Sequence, residues 1–116
     1  MSLKTSSYQL GIEAESLVIQ YFESLDFCVI SQRYKTKFGE IDLILNKNNQ
    51  IIFVEVKARS RKTTIEEIIT KKQLDRNYAA AEFFLSEFPQ YSTHDCQFDL
   101  MIVYKKKIIS HIENIL

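Results

Sequence analysis

The chain has 116 residues, with 15 basic and 15 acidic side chains and a formal net charge of zero. That length suits one domain over residues 1–116 and excludes two, each of which would be too small to bury a good core. The charge balance excludes a uniformly basic or acidic molecule, while leaving room for a local basic patch that grips nucleic acid.

Two Gly and one Pro leave little material for linkers, and eight Phe with six Tyr supply bulk for a core. The spacing of Cys28 and Cys96 matches neither a metal-binding pair nor a disulfide framework, which favours a reducing compartment. The opening "MSLKTSSYQL" lacks the apolar core of a signal peptide, and no apolar run is long enough to cross a bilayer. A soluble cytoplasmic protein without a membrane partner is the expectation.

In chain order, Leu10, Ala14, Leu17, Val18, Tyr21 and Leu25 recur at helical spacing and predict a first helix from about Tyr8 to Leu25. "FCVISQRY" (27–34) predicts a strand. Two more are predicted over Glu40–Asn46 and Ile51–Arg59, divided by the turn-forming "NKNN". Thr64 with Glu67 is a capping box for a long helix running to about Glu87. Its predicted buried stripe is Ile65, Ile69, Ala79, Ala80 and Phe83, with Lys72 and Arg76 near the middle. "FDLMIVY" predicts a strand, and "IISHIENIL" beyond the "KKK" turn reads as a further strand or a helix. The order α-β-β-β-α-β, with one additional strand at most, predicts a mixed sheet flanked by helices.

The hairpin register carries the functional argument. With Asn48 and Asn49 at the centre of a two-residue turn, Ile41 meets Val56, Leu43 meets Val54 and Leu45 meets Ile52 on one apolar face. The other face pairs Ile44 with Phe53, Asp42 with Glu55 and Glu40 with Lys57. A slip of one residue would set acids opposite valines, so the hydrophobic pattern and the turn chemistry select the same alignment. Two carboxylates about 5 Å apart at an effective dielectric near 20 repel by roughly 3 kcal/mol. Lys57 alone could balance them, yet one ammonium against Glu40, Asp42 and Glu55 is poor compensation. A hard cation such as Mg²⁺ or Mn²⁺ accounts for more, with Asp42, Glu55 and the Val56 backbone carbonyl as oxygen ligands. Such a site would polarise water and a phosphate, with Lys57 at hand to hold the nucleophile or the developing charge.

Glu15 borders the apolar face of the first helix and is either an ordinary boundary glutamate or an acid aimed at Asp42. Lys72 and Arg76 are either snorkelling stems or groups that face the acids or a phosphate. His94 and His111 are isolated and take no role. Asp99 reads as a strand-end or salt-bridge residue.

"GEIDLI" followed by "FVEVKARS" resembles the PD-(D/E)XK nuclease motif, with Asp42 as the first acid and Glu55, Val56 and Lys57 as the E-x-K element. Ile41, where the superfamily name has proline, precedes Asp42. The longer run "GIEAESLVIQYFESLDFCVISQRYKTKFGEIDLI" resembles the YraN family of small bacterial endonuclease-like proteins, itself similar to archaeal Holliday junction resolvases. That resemblance implies a restriction-endonuclease-like core and adds Glu15 as the helix acid that completes the metal site. The resemblance also suggests Gln73 as the counterpart of a glutamine that other nuclease families carry on the second helix.

Basic groups crowd the same part of the sequence: Lys35 and Lys37 before the hairpin, Arg59 and Arg61 after it, and Lys72 and Arg76 on the second helix. Phosphate contacts from them would give salt-sensitive, largely sequence-independent DNA binding. The resulting expectation is a Mg²⁺- or Mn²⁺-dependent DNA endonuclease that pairs as a homodimer on branched substrates. The rivals are a non-catalytic nucleic-acid-binding or assembly module of the same fold, and a structural domain with a surface ion-pair network.

Overall fold

The computed structural model describes residues 7–59 and 68–116. Along them run helix α1 (Ser7–Ser24), strands β1 (Cys28–Lys35), β2 (Glu40–Lys47) and β3 (Gln50–Arg59), and helix α2 (Lys71–Glu87). A short 3₁₀ turn (Pro89–Tyr91) then leads to strands β4 (Asp95–Tyr104) and β5 (Lys107–Ile112). The strands form one sheet in the order β1-β2-β3-β4-β5. β3 and β4 run parallel and all other neighbours antiparallel, so the sheet is mixed as expected. The segment beyond the lysine turn resolves as strand β5 and then leaves regular structure at Glu113.

Both faces of the sheet are covered. Ala14, Val18 and Phe22 on α1 stand four residues apart and pack on Leu43, Leu45, Ile52, Val54 and Met101. Ala80, Ala81 and Phe84 on α2 pack on Ile44, Ile51, Phe53 and Phe98 from the other side. β3 lies at the centre, and Ile51 through Glu55 are all buried. This placement makes Glu55 a charged group inside a layer of apolar side chains.

α1 closes with a Schellman motif: Phe27 N–H donates to Phe22 O and Asp26 N–H to Glu23 O, each at 3.0 Å. Asp26 takes the left-handed conformation that the motif needs, with φ 69°. The Phe22 and Phe27 rings meet edge to face at 5.5 Å and fix the angle at which the chain enters β1.

The β2–β3 hairpin keeps the predicted register from Lys47↔Gln50 to Leu43↔Val54, with a left-handed φ of 54° at Asn48. There the ladder ends, and the expected pairs Asp42–Glu55, Ile41–Val56 and Glu40–Lys57 form no part of it. The Val56 N–H donates to Asp42 Oδ2 at 2.8 Å, so a side chain replaces the backbone acceptor and the strands part. Ile41 accordingly packs with Ile44 and Phe84 on the α2 side, not with Leu43.

The buried stripe of α2 also differs from expectation. It is Asn77, Ala80, Ala81 and Phe84, while Ala79 and Phe83 are half-buried and Lys72 and Arg76 are exposed. The cause is a break before Lys71. Thr70 caps a new helix by accepting from Gln73 N–H at 3.2 Å, so a helical phase counted from Ile65 and Ile69 is carried across a gap. Ile65 and the Thr64–Glu67 capping box lie outside the described residues, as does Arg61.

Candidate functional site

Where β2 and β3 part, the chain gathers acids that a continuous ladder would have kept in line. Glu55 is 6% exposed. Its Oε1 accepts from Gln73 Nε2 at 2.9 Å and from Lys57 Nζ at 3.2 Å. Lys57 lies two residues on along the same face of β3, as its strand position requires. Gln73 comes from the first turn of α2, where the Thr70 cap points it at the sheet. Asp42 stands beside this group, tied to the Val56 amide.

Burial, and then the Glu55 charge, push the Asp42 carboxyl up to about 7, against the pull of the Val56 N–H and Lys57. Glu15 adds to the push, so it lies within electrostatic reach of Asp42. Glu55 is raised as well, chiefly by burial, although Lys57 and Gln73 both favour its charged form. Two buried carboxyls therefore compete for one ammonium. An added positive charge is what the site lacks.

Glu15 holds its own partner: Arg33 Nε donates to its Oε1 at 3.3 Å. Arg33 sits within β1 at a left-handed φ of 53°, a conformation that a non-glycine residue adopts only at a cost of about 1–3 kcal/mol. Its guanidinium also lies 5.9 Å from the centre of the Tyr8 ring. Among the described residues, the ligand atoms of Glu15, Asp42 and Glu55 do not form a group lying mutually within 4.8 Å; Asp99, His111 and Glu113 do.

A model of the uncharacterised protein family UPF0102 matches residues 14–103. The chain belongs to that family. YraN is an equivalent name for UPF0102, so the family suggested by "GIEAES" and "GEIDLI" is the one found. A UPF0102 protein of Rhodopseudomonas palustris strain BisB5 is 34% identical over 94% of this chain and 83% of its own length. One from Bradyrhizobium diazoefficiens is 30% identical over 94% and 82%. One from Parvibaculum lavamentivorans is 30% identical over 92% and 80%. The UPF0102 match spans Glu15, Asp42, Glu55, Lys57, Lys72, Gln73 and Arg76, and ends before His111.

The expected basic residues do not converge as one patch. Lys72 and Arg76 line a cleft of about 300 Å³ with Glu40, Gln73 and Asn77, next to the acids. Gly39 abuts this cleft, and a Cβ there would meet Arg76 Cβ at 3.7 Å. Lys35 pairs across the ladder with Glu40 at the end of β1, and Lys37 lies 5.2 Å from the Phe38 ring centre. Arg59 ends β3 two residues beyond Lys57 and also borders Lys105 and Lys106 of the β4–β5 turn.

Sequence reasoning missed Arg33 and Asn77. Asn77 is 4% exposed and its Nδ2 has no hydrogen-bond partner, which leaves a buried donor at the cleft. An apolar stripe counted in the correct phase would have flagged it as a polar residue on the buried face. No local signal marks Arg33, because its role depends on a helix 18 residues away. Among the described residues, no helix is long and apolar enough to cross a membrane.

Proposed function

We propose that this UPF0102 chain is a divalent-metal-dependent nuclease of the PD-(D/E)XK type that hydrolyses DNA phosphodiester bonds, with branched or otherwise structured DNA as its substrate. The observation that carries the reading is the pair of buried, proton-hungry carboxyls, Asp42 and Glu55, with Lys57 Nζ on Glu55 at 3.2 Å. The donor set is oxygen only, which suits Mg²⁺ or Mn²⁺ held by Asp42, Glu55 and the Val56 carbonyl, with Glu15 as a further acid. When bound, such an ion supplies charge neutralisation for the phosphate and a more acidic water.

The chain's own groups have distinct tasks in this scheme. Gln73 fixes the Glu55 carboxylate. The Val56 amide fixes Asp42. Lys57, once released from Glu55, places its ammonium beside the attacked phosphate and steadies the negative charge that develops there. Arg33 orients Glu15. Lys72 and Arg76, which line the cleft together with Asn77, offer donors for a neighbouring backbone phosphate. Lys35, Lys37 and Arg59 extend that contact along the strand. A cytoplasmic location and pairing with a second copy to hold two duplex arms belong to the same proposal.

The test incubates wild type, Asp42→Ala and Lys57→Ala with branched, duplex and single-stranded DNA in Mg²⁺ or Mn²⁺. Cleavage by wild type alone is the expected result. Equal cleavage by all three proteins rules the assignment out. Binding without cleavage by wild type reassigns the chain to a non-catalytic nucleic-acid-binding or assembly module.

A further inference from the structure

We propose that Asp99, His111 and Glu113 form a second divalent-cation site, of the Zn²⁺ class, separate from Asp42 and Glu55. One ligand atom from each of the three lies within 4.8 Å of the other two. Asp99 sits on β4 and is fully buried, His111 is on β5, and Glu113 follows the last residue of that strand. Asp99 lies level with Val54 on the α1 side of the sheet, opposite the α2 side where Gln73 meets Glu55, and His111 and Glu113 line the cavity that reaches the Asn48–Asn49 turn. The acids at Asp42 and Glu55 occupy the other end of that hairpin.

Asp99 is held as a ligand would be. Its Oδ1 accepts from Gln97 Nε2 at 2.9 Å and from Asn114 N–H at 3.0 Å. Oδ2 is left to face His111 Nε2 at 2.7 Å. On the far side of the imidazole, Nδ1 lies 3.2 Å from the Tyr21 hydroxyl on α1, which fixes the ring plane. Hydrogen-bonded carboxylates and a ring nitrogen anchored from behind are the usual surroundings of metal ligands.

A simple ion pair would account for Asp99 and His111. It leaves Glu113 unexplained, since a second carboxylate is brought to the same imidazole. A cation bound to Nε2, Asp99 Oδ2 and a Glu113 oxygen explains all three. The cation takes the place of the Nε2 proton of the neutral imidazole, and through exchange with solvent that proton is regained at Nδ1, so the ring changes tautomer with no net proton released. Nδ1 then donates to the Tyr21 oxygen.

One imidazole with two carboxylates suits Zn²⁺ better than Mg²⁺. Three protein ligands leave a fourth position. His111 and Glu113 both line a cavity of about 710 Å³ together with Tyr21, Asp95 and Lys47, so that position opens toward water or a small anionic ligand. The bound ion would also tie α1, β4 and the end of β5 into one unit.

The test is calorimetric titration of EDTA-stripped full-length protein with Zn²⁺, followed by the absorption spectrum with Co²⁺. Expected is one ion per chain with micromolar or tighter affinity, retained in Asp42→Asn and in the Cys28→Ser/Cys96→Ser double variant. Glu113→Gln, an exposed substitution that leaves the fold alone, weakens binding tenfold or more, and Tyr21→Phe weakens it by about tenfold. Nitrogen NMR of His111 reports the proton moving from Nε2 to Nδ1 on titration. Absence of binding, or binding that survives Glu113→Gln and disappears with Asp42→Asn, overturns the proposal. Neither result bears on DNA cleavage at Asp42, so the two readings fail separately.

Discussion

Asp42 ionises near 3.8 in an unfolded chain and at about 7 in the folded one. A carboxyl that holds its proton more tightly when folded stabilises the fold most at low pH, and that contribution is lost as pH rises through the folded value. Glu55, raised in the same direction, adds to the slope. In EDTA, wild type should therefore lose stability from about pH 4 to pH 7, and Asp42→Asn should flatten the decline. At about pH 8 the variant should be more stable by about 1–2 kcal/mol, a rise of several degrees in thermal midpoint. The Asn side chain keeps an oxygen for the Val56 amide, so the comparison isolates charge. Differential scanning calorimetry across that range decides it, and parallel curves for the two proteins would contradict the cause assigned to Asp42.

At the scale of elements, several turns are made by residues that dislike the conformation they hold. Asp26 occupies the left-handed cap of α1 at φ 69°, and Lys105 and Lys106 hold φ values of 50° and 60° in the β4–β5 turn. Such two-residue turns favour Asn-Gly, whose backbones reach positive φ with less crowding. Asp26→Gly should stabilise the chain by about 0.5–1 kcal/mol, and Lys105→Asn with Lys106→Gly by a similar amount. Urea denaturation measures both. Loss of stability in Asp26→Gly would mean that its side chain makes an unrecognised contribution to the cap.

The whole molecule carries no net charge, yet its basic groups are unevenly placed. Lys72 and Arg76 border the cleft beside the acids, while Lys47 stands at the far turn and donates to Leu25 O at 2.8 Å. If DNA lies across the cleft, each lost phosphate contact lowers the salt dependence of binding by about one unit of logarithmic slope. The Lys72→Ala/Arg76→Ala pair should thus reduce the slope by about two units, and Lys47→Ala should leave it unchanged. Fluorescence anisotropy over a salt series provides the measurement. Equal slopes in all three proteins would move the DNA path away from α2.

The alternation of apolar residues in "EIDLILNKNNQIIFVEVK" and the turn-forming asparagines by themselves determined the hairpin and its register, because a period of two admits one alignment that keeps both faces clean. They also put Asp42, Glu55 and Lys57 on neighbouring strands. Only the tertiary structure decided where that ladder ends, since Asp42 takes the Val56 amide through its side chain and no periodic pattern records such an exchange. It likewise set the phase of α2 after the Thr70 cap, which exposed Lys72 and Arg76 and turned Gln73 onto Glu55. The Arg33–Glu15 contact joins a helix to a strand 18 residues on, and the grouping of Asp99, His111 and Glu113 depends on how β4 pairs with β5. Local propensity is blind to such contacts, which form only when α1 packs on the sheet and the strands pair.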